Sequence, residues 1–433
     1  MIIGRENELK MLHEAYSDEY SQFVVVYGRR RVGKTFLVRE AFNYKFTFQH
    51  SGIANAPRSS QLEEWGKSLQ KHGLKGKTTP KDWFEAFSFL DDLIRKSRAK
   101  KKVVFIDELP WMDTQASNFI PALEHFWNAY ASARKDVLLI VCGSATSWIV
   151  DKIINNHGGL HNRLNKKINL KQFTLHECEL YAKSRKLGMQ HRQLLECYMV
   201  MGGIPFYWSL LRKDLSLPQN IDGIFFFEDG ELKDEFDALY RSLFKKPESY
   251  LSVINALGKK KIGMTRDEIS TEANLTQGGM LTTILKDLEH CGFIRKYNQI
   301  GKLSKGAMYQ LVDFYTLFYF KFILENKRHD PNFWSKSAGT SLYNNWCGLA
   351  FERVCFAHIL QIKHALSIGG VVSNEYSWFV RRTDDRPGAQ IDLLLDRGDQ
   401  TINICEIKYT SSSEFVLNEE EETKILSRRE RFI

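Results

Sequence analysis

Short apolar runs alternate with amphipathic stretches through the first 170 residues. Residues 23–27 form a β-branched run closed by Gly28, and residues 44–49, 102–106 and 137–142 are three further runs of strand length. Helical periodicity fills the intervals, over residues 34–42, 83–95 and 119–134. Strands that are apolar throughout, separated by helices, predict a parallel sheet covered on both faces.

Beyond residue 170 the grammar changes twice. Residues 174–211 are mainly helical, and residues 218–246 read as a polar, acidic and aromatic connector. Residues 247–312 then run in another order: a helix at 249–257, a second helical stretch from Met264 to Ala273, a turn at Gln277, Gly278 and Gly279, a third helix at 280–290, and a hairpin of 293–297 and 307–312 with a basic tip between Lys302 and Lys305. That is the order of a winged helix-turn-helix. A helix at 342–360, then strands, then a charged tail complete the pattern.

The chain has 433 residues, about three domains at roughly 150 residues each. With 43% hydrophobic and 26% charged residues it is not a disordered chain. Lys and Arg number 61 against 52 Asp and Glu, and the resulting +9 permits nucleic-acid binding without requiring it. The most apolar stretch, residues 314–320, is far short of the ~18 residues that span a bilayer. Met1 to Glu6 has no basic and apolar leader pattern. The seven cysteines are scattered with no CxxC pair, which argues against a disulfide framework or a zinc cluster. The expectation is a cytoplasmic chain with no membrane partner.

Gly28, Arg29, Arg30, Arg31, Val32, Gly33, Lys34 and Thr35 fit G-x-x-x-x-G-K-[ST], with an apolar strand before and the helix at 34–42 after, and Phe36 is counted with them as nucleotide-binding. The glycines let the backbone curl so that its N–H groups face phosphate oxygens. Lys34 reaches the β- and γ-phosphates in such a loop, and Thr35 offers its hydroxyl to Mg2+. A second apolar strand ends in Asp107 and Glu108. Asp107 is placed to hold Mg2+ and Glu108 to polarise the attacking water. Ser144 follows the fourth strand, where a small polar side chain can meet the γ-phosphate or its water. Arg163 has two readings, an arginine finger in cis or in trans, or a surface arginine. Gly202, Gly203, Ile204 and Pro205 interrupt a helical segment, either as a coupling element between a helical lid and the phosphates or as a plain loop.

These pieces, in this order and with Ile3 to Leu9 before them, resemble the archaeal-type ATPases, a branch of the AAA+/STAND P-loop NTPases. The resemblance covers roughly residues 1–240. It departs at one place: the family's Leu-Tyr-Gly-Arg is Leu160, His161, Asn162, Arg163 here. The resemblance implies ATP and Mg2+ as cofactors, and a winged helix and a restriction-endonuclease-like domain after the ATPase.

The C-terminal region has its own carboxylates. Asp392 lies on a predicted strand at 391–395, and Glu406 and Lys408 lie two apart on a second strand at 401–409, hence on one face. Glu352 shares a helical stripe with Leu349, Cys355, Phe356 and Ile359. A carboxylate on an apolar stripe needs a partner or a metal. The set Glu352, Asp392, Glu406 and Lys408 resembles the PD-(D/E)XK nucleases, which implies Asp392 and Glu406 as metal ligands and Lys408 as the group that orients water. The other reading is a salt-bridged, solvated hairpin.

The expected fold is α/β: a P-loop NTPase parallel sheet (1–170), a helical lid and connector (171–245), a winged helix-turn-helix (246–312) and a C-terminal α/β restriction-endonuclease-like domain (313–433). The third helix of the winged module carries one Lys or Arg, Lys286, which is sparse for phosphate neutralisation. The expected function is a Mg2+-dependent ATPase acting on or regulated by DNA, with a metal-dependent nuclease site, able to form a homo-oligomer. The alternative is a nucleotide-dependent switch whose winged helix and nuclease-like domain bind partners without cleavage.

Overall fold

Five strands, β1 (Gln22–Tyr27), β2 (Phe48–Ser51), β3 (Lys102–Asp107), β4 (Val137–Gly143) and β5 (Lys166–Asn169), pair in the order β2-β3-β4-β1-β5, every pair parallel. The computed structural model that shows this describes residues 2–433 except Lys77, His157, His161, Lys245, Gln299, 301–306, 381–387 and 411–414. The chain divides into two compact units, Met1–Phe173 with Ile204–Phe206, and Thr174–Gly203 with Tyr207–Ile433.

In the first unit every residue of β3 and β4 is buried, as uninterrupted apolar runs require of strands covered on both sides. The helix Trp83–Lys96 starts where the Asp82 carboxylate accepts the Glu85 N–H at 2.9 Å. It buries Trp83 and Phe87 against Trp65 and Phe119, with edge-to-face contacts of 5.5 Å for Trp65 and Trp83 and 4.8 Å for Trp83 and Phe119. β2 lies later than residues 44–49. Asn43 and Tyr44 are left-handed, at φ 49° and 58°, so the chain turns there and pairing begins at Phe48. The periodicity at 119–134 becomes the α-helix Phe119–Phe126 followed by a π-helical turn, Trp127–Ala131.

The second unit opens with the helices Leu175–Ser184 and His191–Met201. The expected connector at 218–246 holds two helices, Leu217–Phe225 and Glu235–Leu243. Ser216 and Gln219 form a capping box at the first, and Ile221, Ile224, Phe236, Leu239 and Tyr240 are buried. An apolar face at helical spacing thus outweighs the polar composition. Next come the helix Pro247–Gly258, β6 (Met264–Thr265), the helices Arg266–Glu272 and Gly279–His290, and β7 (Ile294–Tyr297) with β8 (Met308–Leu311). β6-β8-β7 form an antiparallel sheet. The expected basic tip, Lys302 to Lys305, lies outside the described residues.

After the helical segments Phe314–Phe318, Tyr319–Ile323 and Phe333–Ser337 come the helices Ser341–Ala357 and Ile359–Ala365, β9 (Ser373–Val380), β10 (Ala389–Arg397), β11 (Ile402–Cys405) and the helix Glu419–Phe432. The single helix expected at 342–360 breaks at His358, whose Nδ1 lies 2.8 Å from the Val354 carbonyl oxygen. β11-β10-β9 form an antiparallel sheet. β11 ends at Cys405, shorter than the strand expected at 401–409. No helix among the described residues is long and apolar enough to cross a membrane.

The cover of the first sheet gives a test in which two effects oppose each other. Gly66 sits inside the helix Arg58–Lys71, where a Cβ would lie 2.5 Å from the Thr78 carbonyl oxygen. Helix propensity alone makes Gly66→Ala stabilising by about 1 kcal/mol. The close approach to backbone reverses the sign, and a net loss of about 1–3 kcal/mol is expected in urea unfolding. A net gain would show that this contact yields freely.

Candidate functional site

Parallel strands finish at one edge. Tyr27 of β1 is in register with Gly143 of β4, and Ile106 of β3 with Val141. The residues that follow β1, β3 and β4 therefore emerge side by side, at the edge where open α/β sheets take their ligands.

Gly28 leaves β1 at φ 140°, and a Cβ on it would lie 2.3 Å from the Leu170 carbonyl oxygen, so only glycine fits. Arg31 (φ 69°) and Gly33 (φ 91°) are also left-handed. This curl leads into the helix Lys34–Ala41, which has Gly33 at its N-cap. Lys34 is 5% exposed, and its Nζ donates to the carbonyl oxygens of Gly28 at 3.0 Å and Arg29 at 2.8 Å. The ammonium is thus held inside the loop. Val32 is buried, Arg29 and Arg30 are half-buried, and Phe36 is exposed.

Thr35 Oγ1 donates to Asp107 Oδ2 at 2.6 Å, and the Glu108 N–H donates to Asp107 Oδ1 at 2.9 Å. Glu108 is itself left-handed, at φ 48°, which turns the chain sharply as β3 ends. Ser144 Oγ donates to Glu108 Oε1 at 2.9 Å. Burial, and then the Asp107 carboxylate, push the Glu108 carboxyl above its usual range, against the pull of Lys34 and Ser144. A buried carboxyl that resists ionisation, held by a hydroxyl beside a cation, has the chemistry of a general base. Thr35 and Asp107 offer hard oxygens from two elements, a donor set that fits Mg2+.

Sequence reasoning missed Phe206. The Arg31 guanidinium lies over its ring, 4.4 Å from the centroid. Phe206 follows the glycine pair, where Gly202 ends the helix His191–Met201 at φ 62°. The aromatic after Pro205 was the available signal. Arg163 is exposed, in a turn where its N–H donates to the Leu160 carbonyl at 3.0 Å. Among the described residues no hydrogen bond or ion pair ties its side chain to this cluster. His161 of the same motif lies outside them.

The C-terminal set is arranged differently from the expectation. Glu352 Oε1 lies 2.7 Å from Nη1 of Arg353, a residue 2% exposed. Asp392 Oδ2 accepts the Ile407 N–H at 3.0 Å, and Oδ1 accepts from Gln390 Nε2 at 3.2 Å. Glu406 pairs with Lys408 at 2.8 Å and Arg428 at 2.5 Å. Burial, then Glu406 and Glu352, raise the Asp392 carboxyl, opposed by the Ile407 amide and Lys408. The carboxylates thus feel one another, yet among the described residues no three His, Cys, Asp or Glu side chains gather as a metal-binding group. In the structure the expected set Glu352, Asp392 and Glu406 is held by ion pairs and a backbone hydrogen bond. β11 stops short of Glu406, so strand alternation does not aim Glu406 and Lys408, and Arg353 and Arg428 take up two of the carboxylates.

Residues 2–211 match the family described as an ATPase domain predominantly from Archaea. An uncharacterised protein of Methanocaldococcus jannaschii is 24% identical over 424 residues, 94% of this chain and 88% of that protein. An uncharacterised ATP-binding protein of the same organism is 36% identical over 45 residues, 10% of this chain and 76% of that protein. Among solved structures, the Walker-type ATPase of Pyrococcus abyssi has the same fold over 74% of this chain and 96% of that one, with a TM-score of 0.53 and 17% identity.

The raised Glu108 carboxyl gives a test with a defined sign. A carboxyl whose folded-state pKa is raised binds more protons folded than unfolded, so stability falls as pH rises from about 4.3 through the raised value. Glu108→Gln removes that loss and keeps an oxygen for Ser144. The variant should melt above the wild type at pH 8, with the gap closing toward pH 4. It should also hydrolyse ATP about 10²–10⁴-fold more slowly. A lower melting point at pH 8, or an unchanged rate, would contradict the assignment.

Proposed function

We propose that the chain, whose residues 2–211 match the predominantly archaeal ATPase domains, works as a Mg2+-dependent ATP switch whose second unit binds a partner without cutting it. The observation that carries the ATPase half is the chain of contacts Lys34, Thr35, Asp107, Glu108 and Ser144 along one sheet edge.

In this reading the N–H groups of Gly28 to Thr35 hold the phosphates, with Arg29, Arg30, Arg31 and Val32 contributing backbone and Phe36 continuing the helix. Lys34 neutralises the β- and γ-phosphates. Thr35 and Asp107 hold Mg2+, which when bound neutralises charge on the phosphate oxygens. Glu108 takes the proton of the water that attacks the γ-phosphorus, as the bond from that phosphorus to the bridging oxygen breaks and ADP leaves. Ser144 keeps the Glu108 carboxylate on the side of the incoming water. Ser144 is therefore a positioning residue for Glu108 rather than a direct γ-phosphate ligand. Arg163 is open to solvent, which favours a finger offered in trans, to a second copy, over one acting in cis.

For the second unit, the element order over residues 247–311 supports a winged helix, and the order helix, strands, helix over residues 341–432 supports a nuclease-like fold. The ion pairs on Glu352 and Glu406 favour binding over cleavage. Two outcomes test the two halves. Lys34→Ala should weaken ATP about 10–100-fold in titration calorimetry, the worth of hydrogen bonds to a charged group; unchanged affinity would remove the ATP assignment. Wild type and Asp392→Ala should leave plasmid and single-stranded DNA equally intact in Mg2+ or Mn2+. Cleavage that disappears in Asp392→Ala would restore the nuclease.

A further inference from the structure

The second unit holds a groove that the ATP chemistry does not use. Two cavities, of about 370 and 640 Å3, share Lys260, Ile262, Phe379 and Gln390 in their walls and so lie side by side. One wall comes from the β6-β8-β7 sheet and the turn before it, with Lys260, Lys261 and Tyr297. The other comes from β9 and the start of β10, with Trp378, Phe379 and Gln390. Arg428, from the helix Glu419–Phe432, lines the wider cavity.

The groove is cationic at its rim. Lys261 is exposed, Lys260 is paired with Glu268 at 3.0 Å, and Arg428 is paired with Glu406. Below, Arg295 of β7 and Arg353 lie close enough to disfavour each other's charge. Burial, and then Arg353, pull Arg295 down to about 9. Glu352, also in the groove wall, answers Arg353, while Glu375, which acts on Arg295, is already paired with Lys363. Among the described residues Arg353 Nε has no hydrogen-bond partner. Asp392 also acts on Arg353, so the charge beneath the floor is shared between two arginines and the carboxylates of Glu352 and Asp392, and the cations offered to an anion are those of the rim.

Across the groove from the lysines stand flat rings. Trp378 and Phe379 are half-exposed on β9, and Phe432 packs against Trp378 at 5.7 Å and fixes its ring. Cations on one wall and half-exposed rings on the other suit a polyanion that carries unstacked aromatic bases. A duplex offers such a groove only its phosphates, because its ring faces are stacked on one another. The helix Gly279–His290, by contrast, carries only Lys286 as a Lys or Arg and is poorly supplied for gripping a duplex.

We propose that this groove binds a single strand of nucleic acid, its phosphates on Lys260, Lys261 and Arg428 and its bases on Trp378 and Phe379. The proposal does not rest on ATP hydrolysis, so the two can fail separately.

The test is fluorescence anisotropy of the full chain with labelled oligodeoxythymidine, oligouridine and a mixed-sequence duplex, over a range of KCl. At least one single strand should bind about tenfold or more tightly than the duplex, and the two single-stranded arms tell DNA from RNA. Lys260→Glu with Lys261→Glu should weaken binding by about tenfold or more and lower the salt slope by about 1.4, the value for two single-strand phosphates. Trp378→Leu should weaken binding and leave the salt slope in place. The remote reversals Lys71→Glu and Lys96→Glu, on exposed lysines of the first unit, should change affinity by no more than about twofold. Equal affinity for duplex and single strand, no binding of either single strand, or wild-type affinity in the Lys260 and Lys261 variant would each overturn the proposal.

Discussion

The parallel register of β1, β4 and β3 is the constraint on which the site depends. β4 lies between the strand that launches the phosphate loop and the strand that ends in Asp107, and the three stop nearly in step. Being buried throughout, β4 can neither slip nor be left out without orphaning backbone groups on both neighbours. Its end delivers Ser144 to Glu108 across 2.9 Å, while Thr35 reaches Asp107 across 2.6 Å from the other side. A sheet held by apolar burial thus sets the spacing of polar groups that have little tolerance of their own.

The site also carries conformations that stability alone would not select. Arg31 and Glu108 are left-handed without being glycine, and the Glu108 carboxyl is buried beside another carboxylate. Such features persist where the surrounding structure over-determines them, and they concentrate at functional sites. Here the over-determination comes from the fully buried strands on either side and from the hydrogen bonds that Asp107 accepts from Thr35 and from the Glu108 amide.

Most of the first unit was legible because its signals are local. A buried parallel strand is an apolar run, and a phosphate loop is eight consecutive residues, so Lys34, Thr35, Asp107 and Glu108 could be named from the chain alone. What was not legible depended on partners distant in sequence or on backbone dihedrals. Ser144 was expected near the γ-phosphate or its water, and its hydrogen bond to Glu108 could be seen only in the fold. Phe206 has no meaning until Arg31 is above it. Residues 44–49 alternate like a strand, but the left-handed Asn43 and Tyr44 turn the chain, so the strand begins only at Phe48. In the second unit the charge pairing was not legible. Strand alternation suggested that Glu406 and Lys408 would face a metal, whereas β11 ends before them, Arg353 pairs with Glu352, and Arg428 pairs with Glu406. A carboxylate already paired with a guanidinium is a poor metal ligand, because separating the pair exposes two charges at once.

The measurement that bears most directly on the central claim is phosphate release from ATP by the purified chain, followed with Mg2+ present and again with the cation chelated. The account predicts slow release that requires Mg2+ and stops on chelation. Absence of release above a protein-free blank, or release that continues at the same rate without the divalent cation, would contradict it.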